Sequence, residues 1–174
     1  MKAPERLQAR LTSISNGMAG IRYEMDQMKA YVREFCTNPT IIEFVRSLVM
    51  DCPPKDKVCE IKQIHAFVCE RVRFVDDPVH NEAIVSPLKM LEDIRANGRT
   101  SGDCDEYAPF TCTLLAAIGI RPRFRFGGRG TELYHVWSEA ELRDGVWCNL
   151  DPSCYLPAGF FYDFPKYESM EIFE

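Results

Sequence analysis

The sequence predicts an α+β protein, in which a helical N-terminal half is followed by an antiparallel β-sheet with one central helix packed on it. Two observations predict this. Apolar residues recur at three- and four-residue spacing as far as Gly119, and beyond it the period changes to two, with Phe124 and Phe126 alternating with Arg121, Arg123 and Arg125. Capping residues, prolines and glycines punctuate the first half where helices should begin and end.

The elements follow in order. Residues from about Glu5 to Arg33 are helix-friendly, and Asn38-Pro39 opens a second helix through TIIEFVRSLVM. After the CPPKD turn, Val58, Ile61, His65, Val68 and Val72 form one apolar stripe of a third helix, which leads into VRFV, a short strand. Ser86-Pro87 caps and starts a helix over LKMLEDIRA, and Gly98 ends it. A fifth helix runs from Asp103 to about Ile118 with Cys104, Ala108, Thr111, Cys112 and Leu115 on one face, and Gly119 stops it. Pro109 inside it is expected to produce a kink, because it deletes one hydrogen bond and clashes with the Asp105 carbonyl. ELYHVWSEAEL and GVWCNLD then read as two strands around a Gly-containing turn.

With 174 residues, 46% of them hydrophobic, and no Pro/Gly/Ser-rich linker, the chain reads as one domain over 1–174. It is expected to divide into a helical region of about 1–55, a core of about 56–155 and an aromatic-rich tail of 156–174. A net charge of −5 argues against a nucleic-acid or anionic-membrane partner. The first thirty residues are charged throughout, without the apolar core of a signal peptide, so a soluble, cytoplasmic protein is expected. Of eight cysteines, most are expected to be reduced. There is no C-x-x-C, the three histidines are scattered, and no D-x-D-x-D-G loop is present, so neither metal nor cofactor is expected. The oligomeric state is not legible.

The stretch TSGDCDEYAPF, Thr100 to Phe110, puts a cysteine between two aspartates in the first turn of the fifth helix. Helix-terminal N–H groups and the dipole favour an anion, so Cys104 is expected to ionise more easily than an ordinary cysteine. Asp103 and Asp105 oppose this by repulsion unless they cap the helix or pair with Arg95 or Arg99. Gly102 allows the close backbone approach that a reacting carbonyl would need. The expected cationic neighbour is an imidazole.

His135 is the candidate, and strand register tests it. A two-residue Asp144-Gly145 turn, with Arg143 facing Val146, would put His135 and Asp151 on opposite faces of the sheet. A three-residue turn with Gly145 in the left-handed position pairs Leu142 with Val146 and Trp137 with Asp151. His135 and Asp151 then share a face, roughly 7 Å apart at the backbone. A Cys-His-Asp set therefore requires an odd number of residues in the connection.

These residues carry a family resemblance. GDCDEYAPFTCTLLAAIGIRPRFRF, then YHVWSEAEL and GVWCNLDPS, resemble the core motif of the transglutaminase-like superfamily of papain-type cysteine enzymes, in family order. CPPKDKVCEIKQIHAFVCERVRFVDDP, SPLKML and the late Pro-Ala-Gly resemble short transglutaminase-like proteins of tailed phages and prophages. The likeness covers about residues 20–160. It implies a papain-like, transglutaminase-core fold with Cys104 as nucleophile, His135 as general base and acid, and Asp151 orienting the imidazole. It implies also a protein or peptide amide substrate, a thioester intermediate, and a host cytoplasm or phage particle as location. Glu106, Tyr107 and Pro109 depart from the usual pattern after the second aspartate. One oxyanion donor is the Cys104 N–H, and a second is expected from an upstream group that the sequence does not identify.

Blander readings apply elsewhere. Cys59, Cys69 and Cys112 read as core, Cys148 as core or a bystander thiol, His65 as a hydrogen-bonded packing residue and His80 as a surface-loop residue. The arginine row reads as a solvated strand face, and GGRG as a flexible loop able to gate a cleft. Trp137 and Trp147 read as core or cleft wall, and the aromatic tail as a cover for the sheet. The leading expectation is a cysteine-dependent acyl-transfer enzyme acting on protein or peptide amides, with hydrolysis favoured over cross-linking. The alternative is a catalytically idle papain-like scaffold that serves as a phage virion or assembly binding protein. An open cleft reaching Cys104 would favour the first; an aromatic tail sealing it would favour the second.

Overall fold

The computed structural model describes residues 10–12, 18–76, 82–130 and 132–173. Strand β1 (Arg10–Thr12) pairs antiparallel with β3 (Glu82–Ile84), so these three residues of the stretch expected to be helical are strand, and α1 is described over Met18–Phe35. Helix α2 (Pro39–Leu48) starts where Asn38-Pro39 predicts, with the Asn38 side chain accepting the Thr40 N–H. Helix α3 (Lys57–Arg71) is capped by Asp56 and runs directly into β2 (Val72–Phe74). Helix α4 (Pro87–Asn97) has Ser86 as its cap and ends on Gly98 at φ +80, a left-handed conformation that costs glycine little. Strand β4 (Thr100–Gly102) pairs in parallel with β2 and delivers the chain to α5 (Cys104–Ala117).

The main sheet is antiparallel, in the order β7-β6-β5-β8, from β5 (Pro122–Arg129), β6 (Glu132–Arg143), β7 (Val146–Leu150) and β8 (Lys166–Glu171). The expected tail cover thus includes a strand: β8 adds to the edge of β5. GGRG is not a loop, because Gly127, Gly128 and Arg129 are strand residues paired with β6.

Helix α5 is the hub. Every residue from Glu106 to Leu115 is buried, which is what a helix enclosed on all sides requires. Tyr107, Phe110, Leu114 and Leu115 pack into a cluster with Ile61, Ile64 and Val68 of α3. On the opposite side, Ala108 and Cys112 meet Met28 and Val32 of α1 and Phe124, Phe126 and Val136 of the sheet. The helix continues unbroken through Pro109, whose carbonyl accepts the Thr113 hydroxyl at 2.7 Å. Burial from both sides holds the helix where local propensity alone would interrupt it.

Cys52 and Cys59 form a disulfide across the CPPKD turn, with Cα atoms 5.7 Å apart, while the other six cysteines are thiols. Cys59 is therefore a cross-link to the first turn of α3 rather than a core residue. No helix among the described residues is long and apolar enough to cross a membrane.

Candidate active site

The register of β6 and β7 brings His135 to Asp151. The reversal itself is the two-residue Asp144-Gly145 turn, with Arg143 opposite Val146 and Gly145 at φ +72. A bulge between Glu141 and Arg143 then inserts Leu142 as an extra residue, so that Ser138 pairs with Leu150. The odd count required of a three-residue turn is met instead by a short turn and a bulge. His135 Nε2 lies 2.5 Å from Asp151 Oδ2.

Asp151 is 5% exposed. Burial alone would raise its pKa, but hydrogen bonds and charge from His135, with further bonds from Ser153 and Tyr162, outweigh it and hold the carboxyl below its ordinary range. Its Oδ1 accepts the Ser153 N–H at 3.2 Å and hydroxyl at 2.5 Å, and Oδ2 also accepts the Tyr162 hydroxyl at 2.5 Å. The His135 ring stacks on Trp137, with centroids 5.5 Å apart, and meets the edge of Tyr162 at 5.6 Å. Trp137 is fixed in turn by donating to Asn149 Oδ1 at 3.0 Å.

Cys104 stands in the first turn of α5, and with His135 it lines one cavity of about 190 Å³. Met25 and Met28 of α1 and Phe126 and Leu133 of the sheet complete its apolar wall. The cavity reaches both side chains, and the aromatic tail packs beside His135 without filling it. Asp103 caps the helix in a reciprocal capping box: its side chain accepts the Asp105 N–H, while Glu106 Oε2 accepts the Asp103 N–H at 2.9 Å. Glu106 Oε1 also accepts the Val85 N–H at 3.1 Å, which ties the segment before α4 to the start of α5.

The thiol is not acidified at rest. Burial pushes its pKa far up, Asp105 and Asp103 push it further, and the thiol donates to Asp105 Oδ1 at 3.6 Å. Only the Val136 N–H, which donates to the sulfur, acts in the other direction. The expectation of an easily ionised Cys104 is overturned because capping satisfies the helix end without removing either carboxylate from the thiol. Gly102 likewise has a structural reason: a Cβ there would lie 2.6 Å from Glu106 Cβ.

Other candidates fall outside this set. His65 is buried, with its ring 3.8 Å from Cys69 Sγ, and desolvation lowers its pKa. Cys112 is core, its thiol pushed up to about 12 by burial. Cys148 is half-buried. Arg123 bonds Glu139 at 2.5 Å and lies over Trp147, while Arg121 pairs with Glu171 and Arg125 with Ser169. The arginine row is thus a braced strand face. His80 lies outside the described residues. Tyr162 was missed in the sequence because its meeting with Asp151 depends on how the tail returns, which no local pattern encodes, whereas Ser153 lies two residues from Asp151 and the Asp-Pro-Ser turn was a local signal for its bond.

The sequence model of the transglutaminase-like superfamily matches residues 46–152, the span that holds α3, α5 and the β5–β7 strands. No curated protein matches the sequence. Among solved structures, the fold is similar to that of a "Putative Cysteine Protease" from Cytophaga hutchinsonii, with a TM-score of 0.50 and 14% identity. The match covers 68% of this chain and 38% of that one, so the chain spans well under half of that protein's length. At this identity the likeness concerns the fold alone, a papain-like arrangement of a buried helix on an antiparallel sheet. On the family match, the chain belongs to the transglutaminase-like superfamily.

Proposed function

We propose that the protein is a cysteine acyl-transfer enzyme acting on protein or peptide amides, with Cys104 as nucleophile, His135 as base and acid, and Asp151 as the residue that orients the imidazole. The observation that carries this is the His135–Asp151 hydrogen bond beside a cavity that Cys104 also lines. With Nε2–H donated to Asp151, Nδ1 is the nitrogen left to accept the thiol proton. Because burial and two carboxylates hold the thiol protonated, His135 works as a general base during attack rather than through a standing ion pair. The thiolate adds to the carboxamide carbon, and the oxyanion so formed faces the N-terminus of α5. Its collapse breaks the C–N bond, Nδ1–H returns its proton to the leaving amine, and a thioester remains on Cys104. Water deprotonated by His135 then releases the acid and regenerates the thiol. Hydrolysis is favoured over transamidation because water needs no second binding site.

A second reading, the idle binding scaffold, draws on the same raised thiol pKa. One experiment separates the two. A panel of peptide amides is incubated with the protein, with and without hydroxylamine, and Cys104 is followed by mass spectrometry. The enzyme reading expects an acyl adduct on Cys104 that hydroxylamine discharges as hydroxamate and that disappears in Cys104→Ala and His135→Ala. An unmodified Cys104 across a broad panel, with peptide binding retained in Cys104→Ala, would establish the scaffold reading.

A further inference from the structure

A second thiol lies beside the His135–Asp151 pair. Asp151 is the N-cap of a short 3-10 turn, Pro152–Cys154, and Tyr155 closes that turn at φ +55. Residues three apart eclipse on such a turn, so Asp151 and Cys154 project together. Cys154 is exposed. Its sulfur, an oxygen of Asp151 and a ring nitrogen of His135 all lie within 4.8 Å of one another. The Tyr162 hydroxyl donates to Asp151 Oδ2, so a further oxygen borders the same point.

A thiolate, an imidazole nitrogen and a carboxylate are the ligand types of tetrahedral Zn²⁺, and the D-x-x-C spacing has the reach of the C-x-x-C half of a zinc site. Zn–S of about 2.3 Å and Zn–N or Zn–O of about 2.0–2.2 Å put neighbouring ligand atoms roughly 3.3–3.6 Å apart. Small side-chain rotations bring Cys154 to that spacing, while His135 Nε2 and Asp151 Oδ2 must open from 2.5 Å. A cation can therefore enter only by replacing the proton between them. The exposed side of Cys154 leaves the fourth position to water.

We propose that His135, Asp151 and Cys154 form a Zn²⁺ site that acts as an off-switch for Cys104. Binding displaces the Cys154 proton to solvent and takes Nε2 as a ligand, which moves the imidazole proton to Nδ1. A protonated Nδ1 cannot accept a proton from Cys104. The switch rests on His135 being the base for Cys104, as proposed above; the metal site itself does not. The other cluster, Asp103, Cys104 and Asp105, offers no nitrogen ligand, and Asp103 is committed to capping α5.

The test is a Co²⁺ titration of the full chain under a non-thiol reductant, with Zn²⁺ as competitor. The expected result is one thiolate-to-Co²⁺ charge-transfer band in the near ultraviolet, at 1:1 stoichiometry, removed by Zn²⁺. It should persist in Cys104→Ser and vanish in both Cys154→Ser and Cys154→Ala, two changes at an exposed position. Zn²⁺ should also slow iodoacetamide labelling of Cys104 by roughly tenfold or more in wild type, and not in Cys154→Ser. No band, a band that survives loss of Cys154, or a band that follows Cys104 would overturn the site. A band with unchanged Cys104 labelling would overturn the switch. The band is read without substrate, so it reports on the site even if Cys104 never forms a thioester.

Discussion

Asp151 Oδ2 accepts two hydrogen bonds at 2.5 Å, one from His135 Nε2 and one from the Tyr162 hydroxyl. Tyr162 comes from the tail, beyond the matched family span, yet it shares the oxygen that holds the imidazole. Its hydroxyl is one of the groups that keep the Asp151 pKa low. A depressed carboxylate contributes stability that is present above the ordinary value of 3.8 and lost as pH falls through the lower folded value. Tyr162→Phe removes one donor and raises the folded value, so acid unfolding should begin at higher pH. The loss at neutral pH should be about 1–2 kcal/mol. Acylation of Cys104 should fall by up to about tenfold, with its acid limb moved upward. An unchanged acid limb would show that Tyr162 only packs.

The charge beside Cys104 yields a second prediction. Desolvation leads the upward shift of the thiol, and Asp105 is the largest charge contribution. Asp105→Asn keeps the shape of the residue, removes that charge, and should lower the pH of half-maximal iodoacetamide labelling at Cys104 by roughly one unit. In wild type the labelling rate should still be climbing at pH 9. A plateau near pH 6 would mean that a thiolate–imidazolium pair exists at rest and that His135 already outweighs both carboxylates.

The fold was legible because its signals are local. Asn38-Pro39, Ser86-Pro87 and Gly98 mark helix ends by hydrogen bonds within four residues, and the change of period at Gly119 marks the sheet. Cys104, His135 and Asp151 were legible as candidates from their motifs and from parity along the hairpin. The electrostatic reading of Cys104 failed because its burial depends on α1, the sheet and α5 closing over it together. The aromatic tail could not be placed, since β8 joins β5 through pairs 38 to 48 positions apart, from Gly128–Lys166 to Arg123–Glu171. Gly102 and GGRG were given functional meanings that packing explains: a Cβ at Gly127 would lie 2.3 Å from Phe164, so the strand needs glycine for the tail to lie against it.

Glycine at 102 is required by the capping box. A methyl group there meets Glu106 at Cβ, close to the helix backbone, where rotation gives little relief. Glu106 is 2% exposed and holds the N–H groups of both Asp103 and Val85. Gly102→Ala should therefore destabilise the protein by about 1–3 kcal/mol in urea unfolding, through overpacking and weakened bonds. Glu106→Gln, which introduces an N–H donor opposite one of two backbone donors, should cost a similar amount. If Gly102→Ala changes stability by less than about 0.5 kcal/mol, the glycine serves something other than Glu106.

While Leu142 is in the chain, its bulge sets the register on which the site depends. With Arg143 opposite Val146, an unbulged hairpin would pair every residue of β6 one position out of phase with the observed register, and Leu150 and Asp151 would exchange faces. Leu150 is fully buried, so its exposure alone would cost about 2–3 kcal/mol. Deleting Leu142 removes the extra residue, so that Glu141 adjoins Arg143 opposite Trp147 and Val146 and a regular two-residue hairpin gives the same register, whereas Leu142→Ala keeps the bulge. Leu142→Ala should retain the His135 dependence of Cys104 acylation and lose only a partly buried side chain. The deletion should keep the His135–Asp151 hydrogen bond, seen by NMR as a downfield imidazole N–H resonance that Asp151→Asn removes, with stability changed by no more than about 1 kcal/mol. A deletion variant that loses the resonance would mean that the local twist of the bulge, and not the register alone, aims His135 at Asp151.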